Sequence, residues 1–135
     1  MSINSWKKEF YQGRLRDAAR DPVKATEHCI VKWTGLTPAN LKKHDLIKDL
    51  NQDSVVNPKT NGRFTVGEAE CALCLYDSTH SLHSCCACPL IKVGALCRYE
   101  DSPYQRWVRT GNNKPMLVAL KKALEYVKKQ AGIEA

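Results

Sequence analysis

"CALCLYDSTHSLHSCCACPL", residues 71–90, places five cysteines and two histidines within twenty positions of a 135-residue chain. Cys71 and Cys74 form one C-x2-C pair, and Cys85 and Cys88 form a second ten residues later. Two such pairs suit a tetrahedral ion, because each can turn both thiolates toward one point. Pro89 restricts the backbone of Cys88 and helps to set the second turn. The intervening "LYDSTHSLHS" is polar and reads as a loop between two knuckles. Thiolates select Zn²⁺ over hard cations, and four of them leave no open coordination position. The spacing therefore predicts a structural zinc site built from Cys71, Cys74, Cys85 and Cys88. Cys97, Cys86, His83 and His80 are alternates, although the two histidines also read as plain loop residues. An iron–sulfur cluster, which four cysteines can also hold, is a residual alternative to zinc. A thioredoxin-like redox site fits poorly, since no βαβ pattern surrounds either pair. Cys29, within a helical stretch, reads as a buried core thiol.

Composition supports metal over a disulfide framework. The chain has seven cysteines, an odd number, and its N-terminus lacks the apolar stretch and small-residue cleavage site of a secretory leader. No apolar run reaches the ~18–20 residues of a membrane span, so no membrane partner is expected. Dense cysteine in CxxC spacing then points to a reducing cytoplasm and a metal. At 43% hydrophobic and 26% charged residues the chain reads as one soluble domain, 1–135, with the metal segment at about 66–98. The formal charge of +7 would fall to about +5 with one tetrathiolate zinc in place. Its basic residues are spread along the chain, which gives weak attraction to polyanions without defining a site.

The flanks read as helices. Residues 1–20 form a moderately amphipathic pattern with Trp6, Phe10 and Leu15 on one side and Gly13 weakening the middle. Asp21 can cap a helix opened by Pro22, with Val23, Ile30 and Trp33 near one face. Gly35 fits a left-handed residue after its last turn. Thr37-Pro38 repeats the device, with Leu36 stapled to Leu41. "HDLIKDL" is ambiguous between helix and strand. Residues 51–63 read as a loop with an Asn61-Gly62 turn, and "RFTVG" as a short strand. Ser102-Pro103 starts another helix carrying Tyr104 and Trp107. The final segment places Met116, Leu120, Leu124 and Val127 in one stripe, with Leu117 beside it and Gly132 as the stop. The expected class is α+β, mainly α, with helices at both ends around a zinc knuckle or ribbon-like insert.

The segments "EHCIVKWTGLTPANLKKH", "CALC", "CCACPL", "GALC" and "SPYQRW", spanning about residues 25–110, resemble a set of small, mostly uncharacterised proteins of tailed bacteriophages and prophages. The resemblance rests on the CxxC pairs, on Gly94 and Cys97, and on Tyr104 and Trp107; Cys86 departs from it. It implies that Cys97 belongs to the metal neighbourhood and that the chain is a viral accessory protein in the cytoplasm of an infected or lysogenic cell. It implies no activity.

Three functions compete. Arg98, Arg106, Arg109 and Lys114, with Trp107 and Tyr104 among them, suit a nucleic-acid surface where aromatics stack bases and cations meet phosphates. The alternative for the aromatics is core packing three residues apart on a helix. A second reading is an adaptor or inhibitor that engages a host protein, with Trp6, Phe10 and Tyr11 as anchors. A third is a His-Asn-His type metal nuclease assembled from Asp77, His80, His83 and Asn112, but the spacing is poor and no histidine follows His83. His28 adjoins Cys29, yet neighbours on a helix point apart and make no nucleophile–base pair. The sequence thus favours binding over catalysis.

Overall fold

A computed structural model describes residues 2–67, 70–80 and 88–132. Its first helix, α1 (Ile3–Phe10), opens on a capping box in which Ser2 and Ser5 each bond the other's backbone N–H. The pattern expected to run through the first twenty residues breaks at Gly13, which takes φ +78°, and resumes as the short α2 (Leu15–Ala18). Helix α3 (Pro22–Thr34) starts as expected, with Asp21 accepting from the Lys24 N–H and Pro22 in the first turn. Its buried face is Ala25, Cys29, Lys32 and Trp33, together with Thr26. Those four recur at the i, i+4, i+7, i+8 spacing of one helical side, whereas Val23 and Ile30 are only half-buried.

Gly35 does not take a left-handed conformation; its φ is −69°. The reason for glycine is steric. A Cβ there would lie 2.3 Å from Cγ of Phe10, and the Gly35 carbonyl accepts a 2.8 Å bond from the Trp6 indole. Thr37 caps α4 (Pro38–Lys43), and both Leu36 and Leu41 are buried as the staple requires.

"HDLIKDL" resolves into strand β1 (Ile47–Lys48). The stretch expected as a loop contains a second strand, β2 (Ser54–Val56), and β3 (Arg63–Thr65) follows. The three form an antiparallel sheet in the order β1-β2-β3, with Lys48 opposite Val55 and Val55 opposite Phe64. Residues on one such rung share a face. Val55 and Phe64 turn to the core, and the register carries the Lys48 side chain to that side as well. Asn61 takes φ +59° in the β2–β3 connection, where the Asn57 N–H closes on the Gly62 carbonyl at 2.8 Å.

The largest departure lies in the cysteine segment. In place of a polar loop, residues 72–80 form helix α5 (Ala72–His80), with Ala72 and Leu73 in the core. A 3₁₀ turn, Pro89–Val93, ends on Gly94 at φ +69°. Helix α6 (Pro103–Thr110) is capped by Ser102, and α7 (Lys114–Gln130) buries Met116, Ala119, Leu120, Ala123 and Val127, with Leu117 and Leu124 half-buried. Gly132 beyond it has φ +73°. Helices α3 and α7 pack on each other, α5 packs on α3, and the 3₁₀ turn packs on α7. One hydrophobic cluster joins Trp6, Trp33, Phe64, Leu73, Leu90 and Trp107. The described cysteines Cys29, Cys71, Cys88 and Cys97 lie in or against this cluster.

Candidate metal centre

The first CxxC opens a helix. Cys71 immediately precedes α5, at the N-cap position, and the backbone amide of Cys74 three residues on helps to hold its thiol down. The backbone amide of Leu73 acts in the same direction on Cys29 of α3. The positive end of α5 also favours thiolate at its start.

Cys29 is a buried core residue, as the sequence suggests, and it meets a second thiol there. Its Sγ stands 3.8 Å from Sγ of Cys71, and Cys29 is 1% exposed. Hydrogen bonds from Cys29 and then Cys74 hold Cys71 well below the usual thiol range, with the Lys32 ammonium and the Cys74 amide acting in the same direction against burial. Cys29 and Cys74 are pushed up, first by the neighbouring Cys71 sulfur and then by burial. Cys74 also lies in the field of Cys97 and Cys88.

The fourth thiol is fixed by α6. The Cys97 carbonyl accepts from the Ser102 hydroxyl at 3.0 Å and from the Gln105 amide at 3.2 Å. The helix cap expected from Ser102-Pro103 thus also anchors the loop that presents Cys97. Cys88 is 6% exposed at the start of the 3₁₀ turn. Cys85, Cys86 and His83 lie outside the described residues. His80 is on the exposed end of α5, stacked on Tyr76 with ring centroids 4.2 Å apart. No disulfide joins the described cysteines.

The donor chemistry fits a thiophilic ion. Two thiolates on a tetrahedral Zn²⁺ with ~2.3 Å bonds stand about 3.8 Å apart, which is the Cys29–Cys71 separation. Among the described residues, however, no three His, Cys, Asp or Glu side chains are drawn closely enough around one point to hold an ion as they stand. Binding would need the thiols to give up protons and to draw together around one point.

Lys32 is the residue that sequence reasoning passed over. It is 0% exposed on the buried face of α3, and its Nζ donates to the carbonyls of Val66 and Glu70, each at 3.1 Å. Those carbonyls flank the chain entering Cys71, and Tyr11 Oη also donates to the Glu70 carbonyl at 3.0 Å. The only signal in the sequence was position. Lys32 lies three residues after Cys29 and immediately before Trp33, on a side that hydrophobicity alone would not assign to a lysine.

The predicted nucleic-acid residues separate into two groups. Arg98, Arg106, Arg109 and Lys114 are exposed. Arg109 bonds the Glu100 carbonyl at 3.2 Å and lies 3.7 Å from Asp101. Trp107 is 0% exposed, edge-on to Trp33 at 5.1 Å and under the Lys48 ammonium at 4.6 Å. It cannot stack a base; it is a core residue. Tyr104 donates to Asp53 at 3.2 Å. Trp6 and Phe10, proposed as anchors for a protein partner, are buried as well, and Tyr11 is half-buried.

Catalytic constellations gain little. Asp77 is buried, whereas His80 turns outward onto Tyr76. Ser5, His44 and Glu9 form a line, with Ser5 Oγ 2.8 Å from His44 Nδ1 and His44 Nε2 2.8 Å from Glu9. Ser5 Oγ also bonds the Ser2 backbone N–H and carbonyl as part of the α1 cap, which occupies the hydroxyl structurally. The line pins α1 to the end of α4.

Compared with protein-family models, with curated proteins and with solved structures, the chain matches none of them. Among the described residues no helix is long and apolar enough to cross a membrane.

Proposed function

We propose that the protein is a non-enzymatic, zinc-stabilised accessory protein that binds nucleic acid, and that it is phage-encoded. In this reading Cys71, Cys74, Cys88 and Cys97 hold one Zn²⁺ as a closed structural site. The observation that carries it is the gathering of thiols at the core: Cys71 Sγ stands 3.8 Å from Cys29 Sγ, and Cys71, Cys88 and Cys97 belong to or pack against the same hydrophobic cluster. Cys97 takes the place that spacing alone gives to Cys85. Cobalt(II) substitution separates the two assignments, because thiolate-to-metal charge transfer reports the number of sulfur ligands. Cys97→Ser should lose one thiolate band contribution and weaken binding, while Cys85→Ser should match the wild type. The reverse result assigns the site to Cys85.

The zinc would hold α5, the 3₁₀ turn and the Cys97 loop as one body. That body presents Arg98, Arg106, Arg109 and Lys114, all exposed, with Lys121, Lys122 and Lys129 on the outer side of α7. With Trp107 buried, recognition reduces to phosphate contacts that carry no sequence information. Four such contacts predict a loss of about a hundredfold in affinity between 50 and 200 mM salt. Absence of binding to single- and double-stranded DNA and RNA at low salt removes this partner.

A host-protein adaptor is the second reading. It is favoured by Val31 on α3 and Val118 on α7, which are 47% and 53% exposed on the two helices that pack together. Paired Val31→Asp and Val118→Asp changes would abolish capture of such a partner while leaving nucleic-acid binding intact.

A further inference from the structure

A zinc ion held by four thiolates carries a net charge of about −2, which a protein core tolerates poorly without compensation. Compensation is built into α3. Cys29 and Lys32, three residues apart, share its buried face and meet the start of α5 together. The Lys32 ammonium is fully buried, and the two carbonyls it holds, Val66 and Glu70, belong to the segment that delivers Cys71. An ammonium has three donors, so these carbonyls leave one in excess. Cys29 reaches the Cys71 sulfur at 3.8 Å.

We propose that Lys32 is the resident counter-charge of the thiolate centre, a positioning residue that sets its metal affinity. The inference rests on the zinc reading above and deepens it. Lys32 acts in two ways. Its charge offsets that of the metal–thiolate group, and its bonds to Val66 and Glu70 fix where Cys71 begins α5. Groups that bond or orient metal ligands in this way are commonly worth ten- to a hundredfold in affinity.

The experiment uses the full chain under reducing conditions and measures zinc affinity by chelator competition. Wild type should bind one zinc. Lys32→Met, which keeps the length and removes the charge, should bind ten- to a hundredfold more weakly, and Lys32→Arg should recover part of the loss. Equal affinity for wild type and Lys32→Met overturns the proposal while leaving the zinc reading intact. A wild type that takes up no metal overturns both.

A measurement on the unmodified sequence covers the case in which Lys32→Met does not fold. In the cobalt(II)-loaded chain, the side-chain ¹⁵N ammonium resonance of Lys32 should show a large paramagnetic shift, with that of Lys48 as internal reference. A Lys32 resonance that moves no more than that of Lys48 overturns the proposal.

Discussion

Lys32 and Lys48 meet the core in the same manner and end in different chemistry. Each sets an ammonium against backbone carbonyls and near the face of a tryptophan, Lys32 at Trp33 and Lys48 at Trp107, and the two indoles touch edge-on at 5.1 Å. Lys48 bonds the carbonyls of Asp49, Gln52 and Val108, which ties β1 and the turn before β2 to α6. Burial pulls its pKa down, while Asp49 and Asp53 hold it up. Lys32 bonds two carbonyls and faces sulfur, with Cys29 and Cys71 in its field. A lysine caged by carbonyls is therefore an ordinary fastening in this fold. What separates the two is the anion beside each, carboxylates for one and thiols for the other.

The strongest way to test that separation is to remove the floor under Lys48. Trp107→Ala should cost about 3–5 kcal/mol, the usual range for deleting a buried aromatic, and leave zinc stoichiometry at the wild-type value. Denaturant unfolding together with metal analysis checks both halves. A loss of metal with a modest change in stability would instead tie Trp107 to the sulfur side.

Lys48→Met should be milder, about 1 kcal/mol from the unpaired carbonyls, again with unchanged zinc affinity. If it weakens zinc as much as Lys32→Met does, the distinction between the two lysines fails.

The smallest effect belongs to the α1–α4 lock. Glu9 is held below its ordinary value of 4.5, first by the hydrogen bond from His44 and then by that from Lys43. A carboxylate depressed by folding adds stability that is fully present above its unfolded pKa and lost as pH falls through the folded one. Glu9→Gln should therefore lower Tm slightly at pH 7, and the difference from wild type should shrink progressively as pH falls below 4.5. A difference that does not shrink with falling pH assigns the effect to packing.

Local signals read well from the sequence. Asp21-Pro22, Thr37-Pro38 and Ser102-Pro103 each start a helix, because a cap and its acceptor lie within three residues. The stripe on α7 was readable for the same reason, with Ala119 and Ala123 completing it. Contacts set by distant packing were not. Gly35 suggested a left-handed stop, and only the approach of Phe10 shows why a side chain is excluded. Val55 and Phe64 pair across a strand hidden in a turn-rich stretch. "LYDSTHS" reads as polar loop, yet residues 72–80 are helical and bury Ala72, Leu73 and Asp77 on one side. The thiol neighbourhood was half legible. CxxC spacing pointed to Cys71 and Cys74, while Cys29 and Lys32 reach them only through the packing of α3 on α5. A lysine at 0% exposure is invisible to any reading that sorts residues by hydrophobicity.

The central claim is that sulfur from separate segments closes on one ion and makes the small core rigid. Metal analysis of the natively purified, reduced full chain tests it most directly, with Tm recorded before and after a strong chelator. The account predicts one zinc per chain and a large fall in Tm on its removal. A chain without tightly held metal, or one whose Tm is unchanged after chelation, contradicts it.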